Sequence, residues 1–387
     1  MYFQMISFGL RRERAFARDR SKTDESAEET RKEAPLSILR HILNNVNFLL
    51  MSKTFIVAEL SANHAGSLDT AKATIRAAAR AGADAVKLQT YTPDSLTLPV
   101  AGGDFQLHGG LWDGRNLYEL YQEATTPYEW HAELFDLARS LGLVCFSTPF
   151  DRDAVDLLES LGNPIYKIAS FEVMDTDLIG YAASKHKPMV ISTGVATDRE
   201  IREAIDACHA AGNDDVTLLK CTSAYPAEIA DANLSMIPAM RERYGVAVGL
   251  SDHSAGSMVP VVATALGAVM IEKHFILDRS VGGPDAAFSM DAAEFEKMVR
   301  DVRLAEDSLG TIDFDRAAEA DGRKWSRSLY VSAPIAEGEA FSRENVRCVR
   351  PGYSLHPRHF ADLIGRCAAH PYLPGDRIEP DALQNKR

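Results

Sequence analysis

The feature that most constrains this chain is a repeated pairing of a short apolar run, ending abruptly in polar residues, with a helical stretch. The clearest case covers residues 249–275. It reads Gly249-Leu250-Ser251-Asp252-His253-Ser254, then small residues at helical spacing, then Val269-Met270-Ile271-Glu272-Lys273-His274-Phe275. Apolar residues throughout, with polar groups only at the carboxyl end, are the pattern of a parallel strand buried on both faces. Two consecutive strands of this kind carry His253 and His274 at their carboxyl ends, the side on which α/β folds gather their chemistry. Neutral imidazole is the commonest metal ligand, so metal ligation is one reading. Two histidines hydrogen-bonded in polar loops is the plainer one.

The same rhythm runs from residue 54 onward. Strands are expected at residues 55–60, 85–90, 143–148, 165–170, 189–193, 216–221, 246–250 and 268–271. Helices are expected at 69–81, 117–124, 127–141, 154–161, 178–185, 198–211, 234–244 and 292–309, with Gly82 and Gly212 as helix stops. Residues 91–116 are Gly-rich and aperiodic, a long loop of the kind that is functional or mobile. Eight strands alternating with helices fit a (β/α)8 TIM barrel, which typically takes about 250 residues. A doubly wound open sheet would give the same alternation. The count of eight favours the barrel, and so does the polar residue closing nearly every strand. Those strand-end groups are Glu59, Lys87 with Gln89, Ser147 with Thr148, Lys167 with Ser170, Ser192 with Thr193, Lys220 with Thr222, Ser251 with His253, and Lys273 with His274. All are expected to converge on one mouth, because buried unpaired Lys or Glu is costly.

The flanks read differently. Residues 11–32 mix both charges densely with few apolar groups, as disordered segments do, and residues 38–50 could form one short amphipathic helix, so 1–50 reads as an extension that is disordered or partly helical; Met51-Ser52-Lys53 would be a natural start. The barrel is expected over 51–310, a linker over 311–323, and a small β-rich domain over 324–387, punctuated by turns at Gly338, Pro351-Gly352 and Pro374-Gly375. The net charge of -13 disfavours nucleic acid and anionic membranes as partners. No apolar run is long enough to span a membrane. Five scattered cysteines without CxxC spacing read as reduced thiols of a cytoplasmic protein, with no zinc site.

Strand-end lysines with hydroxyls at Ser147, Thr148, Ser170, Ser192 and Thr193 suit an anionic ligand, a phosphate or a carboxylate. Lys167 could instead form a Schiff base, as in barrel aldolases. The histidine pair favours a metal that polarises a carbonyl. Glu59 and Glu172 supply carboxylates for acid/base work. A non-catalytic sugar-binding barrel is a third possibility, but it predicts loss of the histidines or lysines, and none is lost.

Seven motifs carry a resemblance. They are Val57-Ala58-Glu59-Leu60-Ser61-Ala62-Asn63-His64 with Gly66-Ser67, Lys87-Leu88-Gln89-Thr90-Tyr91, Ser147-Thr148-Pro149-Phe150, Tyr166-Lys167-Ile168-Ala169-Ser170, Ser192-Thr193-Gly194, Leu250-Ser251-Asp252-His253-Ser254 and Glu272-Lys273-His274-Phe275. In order and spacing they resemble the sialic acid synthase family over about residues 54–385, and the tail resembles that family's antifreeze-like (SAF) domain. Three stretches are similar to the pseudaminic acid synthase branch: Gly282-Gly283-Pro284-Asp285-Ala286-Ala287-Phe288-Ser289, Arg350-Pro351-Gly352-Tyr353-Ser354-Leu355-His356-Pro357 and Leu111-Trp112-Asp113-Gly114-Arg115-Asn116-Leu117-Tyr118.

The resemblance implies condensation of phosphoenolpyruvate with an N-acetylated amino-sugar aldehyde, giving a nonulosonic acid and phosphate. For the pseudaminic branch the sugar is 2,4-diacetamido-2,4,6-trideoxy-L-altrose; N-acetylmannosamine and the legionaminic precursor are the alternatives. It implies His253 and His274 as ligands of a divalent metal, usually Mn2+, with Mg2+ or Co2+ also able to fill the site. It places Lys87, Thr148, Lys167, Ser170 and Ser192 on phosphoenolpyruvate, and Glu172 as the base that takes the proton of the attacking water. Glu59 would lie near metal and sugar. Gln89, Asn116, Tyr225, Ser251 and Asp285 would contact substrate. Ser223 stands where related synthases carry Asn, which leaves its contact open. Arg350 would reach over the partner subunit's site in a domain-swapped homodimer.

Overall fold

The computed structural model describes residues 53–315 and 321–386. The extension expected over residues 1–50 lies outside them. The chain divides into two compact units, one ending at Leu309 and the other beginning at Gly310.

In the first unit β1 (Phe55–Glu59), β2 (Ala85–Thr90), β3 (Val144–Pro149), β4 (Tyr166–Ile168), β5 (Met189–Ser192), β6 (Val216–Cys221), β7 (Ala247–Asp252) and β8 (Met270–His274) form a closed barrel in chain order. Every neighbouring pair is parallel, and β8 closes on β1 with Glu59 opposite His274. The helices alternate with the strands: α1 (Leu68–Arg80), α2 (Leu117–Ala124), α3 (His131–Ser140), α4 (Arg152–Ser160), α5 (Thr176–Ala183), α6 (Asp198–Ala210), α7 (Met236–Tyr244), α8 (Met258–Ala265) and α9 (Ala292–Leu309). The expected TIM barrel is therefore the observed fold.

Local chemistry starts and stops these elements. Ser67, Asn116, Asp151, Asp175 and Thr197 each accept a backbone N–H of the first turn that follows them, satisfying donors that helix geometry leaves free. Thr197 adds a capping box with Glu200. After α1 the chain turns through Gly82 at φ 86°, where a side chain would be strained and would press on Val299.

Strand alternation builds two cores. Phe55, Val57, Ala85, Val144, Phe146, Val190, Leu219 and Met270 fill the barrel interior. The opposite strand faces, with Ile56, Val86, Cys145, Ile191, Val248 and Ile271, pack on the helices. Gly249 belongs to the inner set. A Cβ there would lie 2.6 Å from the Met270 carbonyl oxygen and 2.8 Å from Leu219, so only glycine lets β7 and β8 approach so closely.

Several boundaries differ from the sequence reading. β4 stops at Ile168, leaving Ser170 in the loop behind it, and β8 runs on to His274. The segment read as an aperiodic loop holds a helical turn at Pro93–Leu96 and a 3-10 turn at Gly103–Phe105, and Gln106 pairs with Asn116. One expectation is wrong in an instructive way. Ser147, Thr193, Lys220 and Lys273 do not enter the mouth, because the two-residue period turns them to the outer face. Ser147 bonds Thr90, Thr193 bonds the Leu219 carbonyl, and Lys220 bonds the Cys221 carbonyl and Thr222. Lys273 pairs with Asp252 at 2.5 Å and with the Ser254 carbonyl.

The second unit is built around the antiparallel pair β9 (Ser328–Val331) and β10 (Val346–Val349). Leu329, Val331, Phe341, Val346, Leu355, Leu363 and Ile378 form its core. Arg350 follows β10 and is exposed.

Candidate active site

The inward faces of the barrel strands end in a buried charge cluster. Glu59, Lys87, Lys167 and Glu272 are 0%, 3%, 2% and 5% exposed. Lys87 Nζ lies 2.5 Å from Glu59 Oε2 and 3.8 Å from Glu272 Oε1, and it donates to Thr148 Oγ1 at 3.2 Å. Lys167 Nζ lies 3.7 Å from the same Glu272 oxygen and donates to the Ile168 carbonyl. Ser251 Oγ donates to Glu272 Oε1 at 3.3 Å. Glu272 was not anticipated from sequence. The signal was present: Met270, Glu272 and His274 alternate on one face of β8.

The four charges shift one another in different directions. Burial raises Glu59, and the Lys87 ammonium only partly offsets this. Burial alone would lower Lys87, but Glu272 and Glu59 outweigh it and the ammonium ends up raised. Lys167 has a weaker set of partners, so burial wins and lowers it. Glu272 is pulled down against burial by Lys167 and Lys87. Among the described residues, Ser192 Oγ and Glu272 Oε2 are buried without a hydrogen-bond partner. Two ammonium groups and an unengaged hydroxyl in a dry cleft form a receptor for an oxyanion.

Above this cluster opens a cavity of about 400 Å³, within the range of small-molecule sites. Gln89 and Ala169 line it, so Lys87 and Lys167, two residues earlier on their strands, stand one layer deeper. Ser61, Ser223, Tyr225, His274 and Asp285 line one side. Gln89 Nε2 donates to Glu59 Oε1 and Ser61 Oγ, both at 2.9 Å, and Ser61 in turn donates to Asp285. Burial raises Asp285. Ser170 Oγ accepts the Gly194 N–H, and a Cβ at Gly194 would collide with Ser223, Ser170 and Cys221. Tyr225 packs between His253 at 4.5 Å and Phe288 at 5.1 Å. Glu172 also faces the cavity; burial pushes its carboxyl up to about 7, and its Oε2 has no hydrogen-bond partner.

The imidazoles of His253 and His274 lie 5.2 Å apart between centroids. His253 Nδ1 faces the Thr222 carbonyl at 3.0 Å, which assigns its hydrogen to Nδ1 and leaves Nε2 as a lone-pair donor. Burial, then His253 itself, hold His274 well below the ordinary histidine range, so it is neutral. Its Nδ1 is buried without a hydrogen-bond partner, with Asp285 Oδ2 3.9 Å away. Burial would lower His253, but Cys221 and the Thr222 carbonyl outweigh it and raise it; the two imidazoles, each in its neutral form, fit a divalent cation whose other positions are taken by water or substrate oxygens. Among the described residues no three His, Cys, Asp or Glu side chains are grouped to hold a metal by themselves.

Cys221 was also missed. It contacts His253 Nδ1 at 4.0 Å and Ser223 at 3.7 Å. Burial alone would raise the thiol, but His253 outweighs it and brings it down to about 7. Asn116 does not reach the cavity: its oxygen caps α2 and its amide nitrogen donates to the Val100 and Phe105 carbonyls. Arg350 belongs to the second unit and is described there alone.

The chain belongs to the NeuB family, whose model matches residues 74–313, and an SAF domain matches residues 326–384. The family resemblance carried by the seven motifs is thus borne out. Pseudaminic acid synthase of Campylobacter jejuni is 49% identical over 335 residues, 86% of this chain and 97% of that protein. Pseudaminic acid synthase of Helicobacter pylori is 50% identical over 331 residues, 84% of this chain and 97% of that protein. The solved structure of N-acetylneuraminic acid (sialic acid) synthetase from Leptospira borgpetersenii in complex with citrate is 31% identical, with a TM-score of 0.62. The match covers 69% of this chain and 89% of that one.

The outward position of Lys273 generates a prediction. Lys273→Met leaves Asp252 as a buried unpaired charge and is expected to cost about 3–5 kcal/mol of stability, read by thermal unfolding. Affinity for phosphoenolpyruvate, measured calorimetrically below the transition, is expected to stay within a few-fold. A large loss of affinity with unchanged stability would return Lys273 to the site.

Proposed function

We propose that this chain is a metal-dependent pseudaminic acid synthase, which condenses phosphoenolpyruvate with 2,4-diacetamido-2,4,6-trideoxy-L-altrose and releases phosphate. The observation that carries the reading is the buried oxyanion receptor of Lys87, Lys167 and Ser192 beneath a sugar-sized cavity. Near-full-length identity of about one half to two pseudaminic acid synthases favours this acceptor over N-acetylmannosamine or the legionaminic precursor.

The residues divide the work by depth. Lys87, Lys167, Thr148, Ser170, Ser192 and Ser251 hold the phosphate and carboxylate of phosphoenolpyruvate. Glu59, whose carboxyl is raised by burial, pairs with Lys87 at the edge of that anion's site. Gln89, Ser223, Tyr225 and Asp285 hold the sugar with its aldehyde toward the enol carbon. His253 and His274 would hold Mn2+, or Mg2+ or Co2+, and the cation when bound polarises the aldehyde oxygen. The enol carbon adds to the aldehyde carbon, the aldehyde oxygen takes up a proton, and the phosphate-bearing carbon is left as an oxocarbenium. Water then adds to the phosphate-bearing carbon, Glu172 takes its proton, and the carbon–oxygen bond to phosphate breaks.

Lys167 with its lowered ammonium also fits a Schiff-base aldolase, so the first test separates the two. Phosphate release is measured with phosphoenolpyruvate, Mn2+ and each candidate sugar. Release with the altrose derivative is expected, abolished by EDTA and restored by excess Mn2+. EDTA resistance combined with borohydride trapping of substrate on Lys167 would establish the aldolase instead.

A second prediction follows from Glu172. It accepts a proton only when ionised, so the rate is expected to rise with pH through about 7 and to fall about tenfold per unit below it. Glu172→Gln is expected to lose about 10²–10⁴ in kcat and the acidic limb with it. An unchanged limb in the variant would assign the titration to another group.

Arg350 is read as completing the partner's site in a swapped homodimer, and the protein as cytoplasmic. Among the described residues no helix is long and apolar enough to cross a membrane. Arg350→Ala and His274→Ala are each expected to be inactive alone and to regain activity when mixed and allowed to exchange subunits. No recovery on mixing would sink the swap.

A further inference from the structure

One wall of the cavity has no counterpart in the chemistry described so far. The segment after β2 sends Leu96, Leu107, Trp112, Leu117 and Leu120 to it. That segment is rich in polar side chains, yet those around the wall are engaged elsewhere. Asn116 caps α2 and staples the Val100 and Phe105 carbonyls. Arg115 pairs with Glu123 at 2.6 Å, and the Tyr118 hydroxyl donates to Asp94. Gln106 donates to the Gly114 carbonyl and Asp113 accepts the Gly109 N–H. Trp112 donates its indole N–H to the Pro284 carbonyl at 3.1 Å and packs at a tilt against Tyr225, centroids 5.8 Å apart, so its one polar atom is engaged where it lines the cavity. These five side chains therefore offer the acceptor carbon alone, while Tyr91 and Tyr121 of the same segment line the cavity beside them. The acceptor's polar contacts lie on other side chains of the lining, among them Gln89, Tyr121, Glu172, Tyr225 and Asp285.

Geometry assigns this wall to one end of the acceptor. The aldehyde must meet an enol carbon held deep in the barrel by Lys87 and Lys167. The far end of the six-carbon chain is then carried outward, to the mouth that the segment after β2 helps to line. We infer that the wall formed by Leu96, Leu107, Trp112, Leu117 and Leu120 is the specificity determinant for a methyl-terminated acceptor. It selects a 6-deoxy sugar over its 6-hydroxylated counterpart, because a hydroxymethyl group packed on these five side chains would lose water and gain no hydrogen bond from them. The assignment of the 6-methyl group rests on the synthase reading above. An apolar pocket rejects an added hydroxyl by at most about a hundredfold, so the preference falls in the range of roughly 10–100.

Leu107 is half-buried on a loop, so it can be changed without opening the barrel core. The test uses two pairs of acceptors, each pair differing only at the 6-hydroxyl. One pair is 2,4-diacetamido-2,4,6-trideoxy-L-altrose and its 6-hydroxy form; the other is 6-deoxy-N-acetylmannosamine and N-acetylmannosamine. Wild type, Leu107→Asn and Leu107→Met are compared by kcat/KM, with the KM for phosphoenolpyruvate as the control of folding. Wild type is expected to prefer the 6-deoxy member of the pair it uses. Leu107→Asn is expected to lower that preference about tenfold or more, and Leu107→Met to retain it, with the phosphoenolpyruvate KM unchanged in both. Use of the mannosamine pair alone would overturn the pseudaminic reading while still testing the wall within that pair. No preference in wild type, an unchanged ratio in Leu107→Asn, or equal loss in Leu107→Met would overturn the wall. Turnover of neither pair would sink both.

Discussion

Two lysines and two glutamates are buried side by side at the carboxyl-terminal end of the barrel interior, and the arrangement of the first unit follows from the need to keep them together. Taken singly, any one of these charges would cost several kcal/mol in so dry a place. Lys87 against Glu59 and Lys167 against Glu272 offset that cost only while β1, β2, β4 and β8 hold their mutual register. The barrel supplies that rigidity. Its lower interior is filled with Phe55, Val57, Ala85, Val144, Phe146 and Met270, and the absence of a side chain at Gly249 lets β7 close on β8. Along the barrel axis the chain thus passes from packed hydrocarbon, through a layer of paired charge, to an open cavity. This gradient leaves the lysines short of solvent and the substrate with water-free cations to meet.

Most of this architecture was legible in the sequence because it depends on short-range rules. Apolar runs with polar ends identified each strand, and glycines such as Gly82 marked where helices stop. Errors arose where a strand's last residues were treated as one group. Alternation puts Glu272 and His274 inside and Lys273 outside, yet pairing residues 273 and 274 counted Lys273 among the groups converging on the mouth. The same slip moved Lys220 inward and hid Cys221. The information lay in the period of two, which fixes the face of every residue once one is known.

The long segment after β2 was illegible for a different reason. Its structure depends on contacts that close between distant residues, such as Trp112 with the Pro284 carbonyl and Gln106 with Asn116. No periodicity announces such contacts. Asn116 shows the consequence: its place in a family-like stretch pointed to substrate, while its side chain is spent on capping a helix and holding a loop. It contributes by holding Leu107 and Leu117 in place.

The two lysines also show how one fold gives identical side chains unequal chemistry. Lys87 sits between two carboxylates and its ammonium is raised; Lys167 sees one of them at 3.7 Å and its ammonium is lowered. Lys167 is therefore the under-compensated cation of the cluster, and Ser192 beside the same cleft is the under-compensated donor. An oxyanion arriving between them supplies the charge and the acceptor that the protein withholds. Its attraction falls most strongly on Lys167, whose ammonium is stabilised by the ligand rather than by the fold. Glu59 and Glu272 limit the gain, since each already neutralises part of the positive field. The cluster suits an anion because its own charges balance in number but not in place.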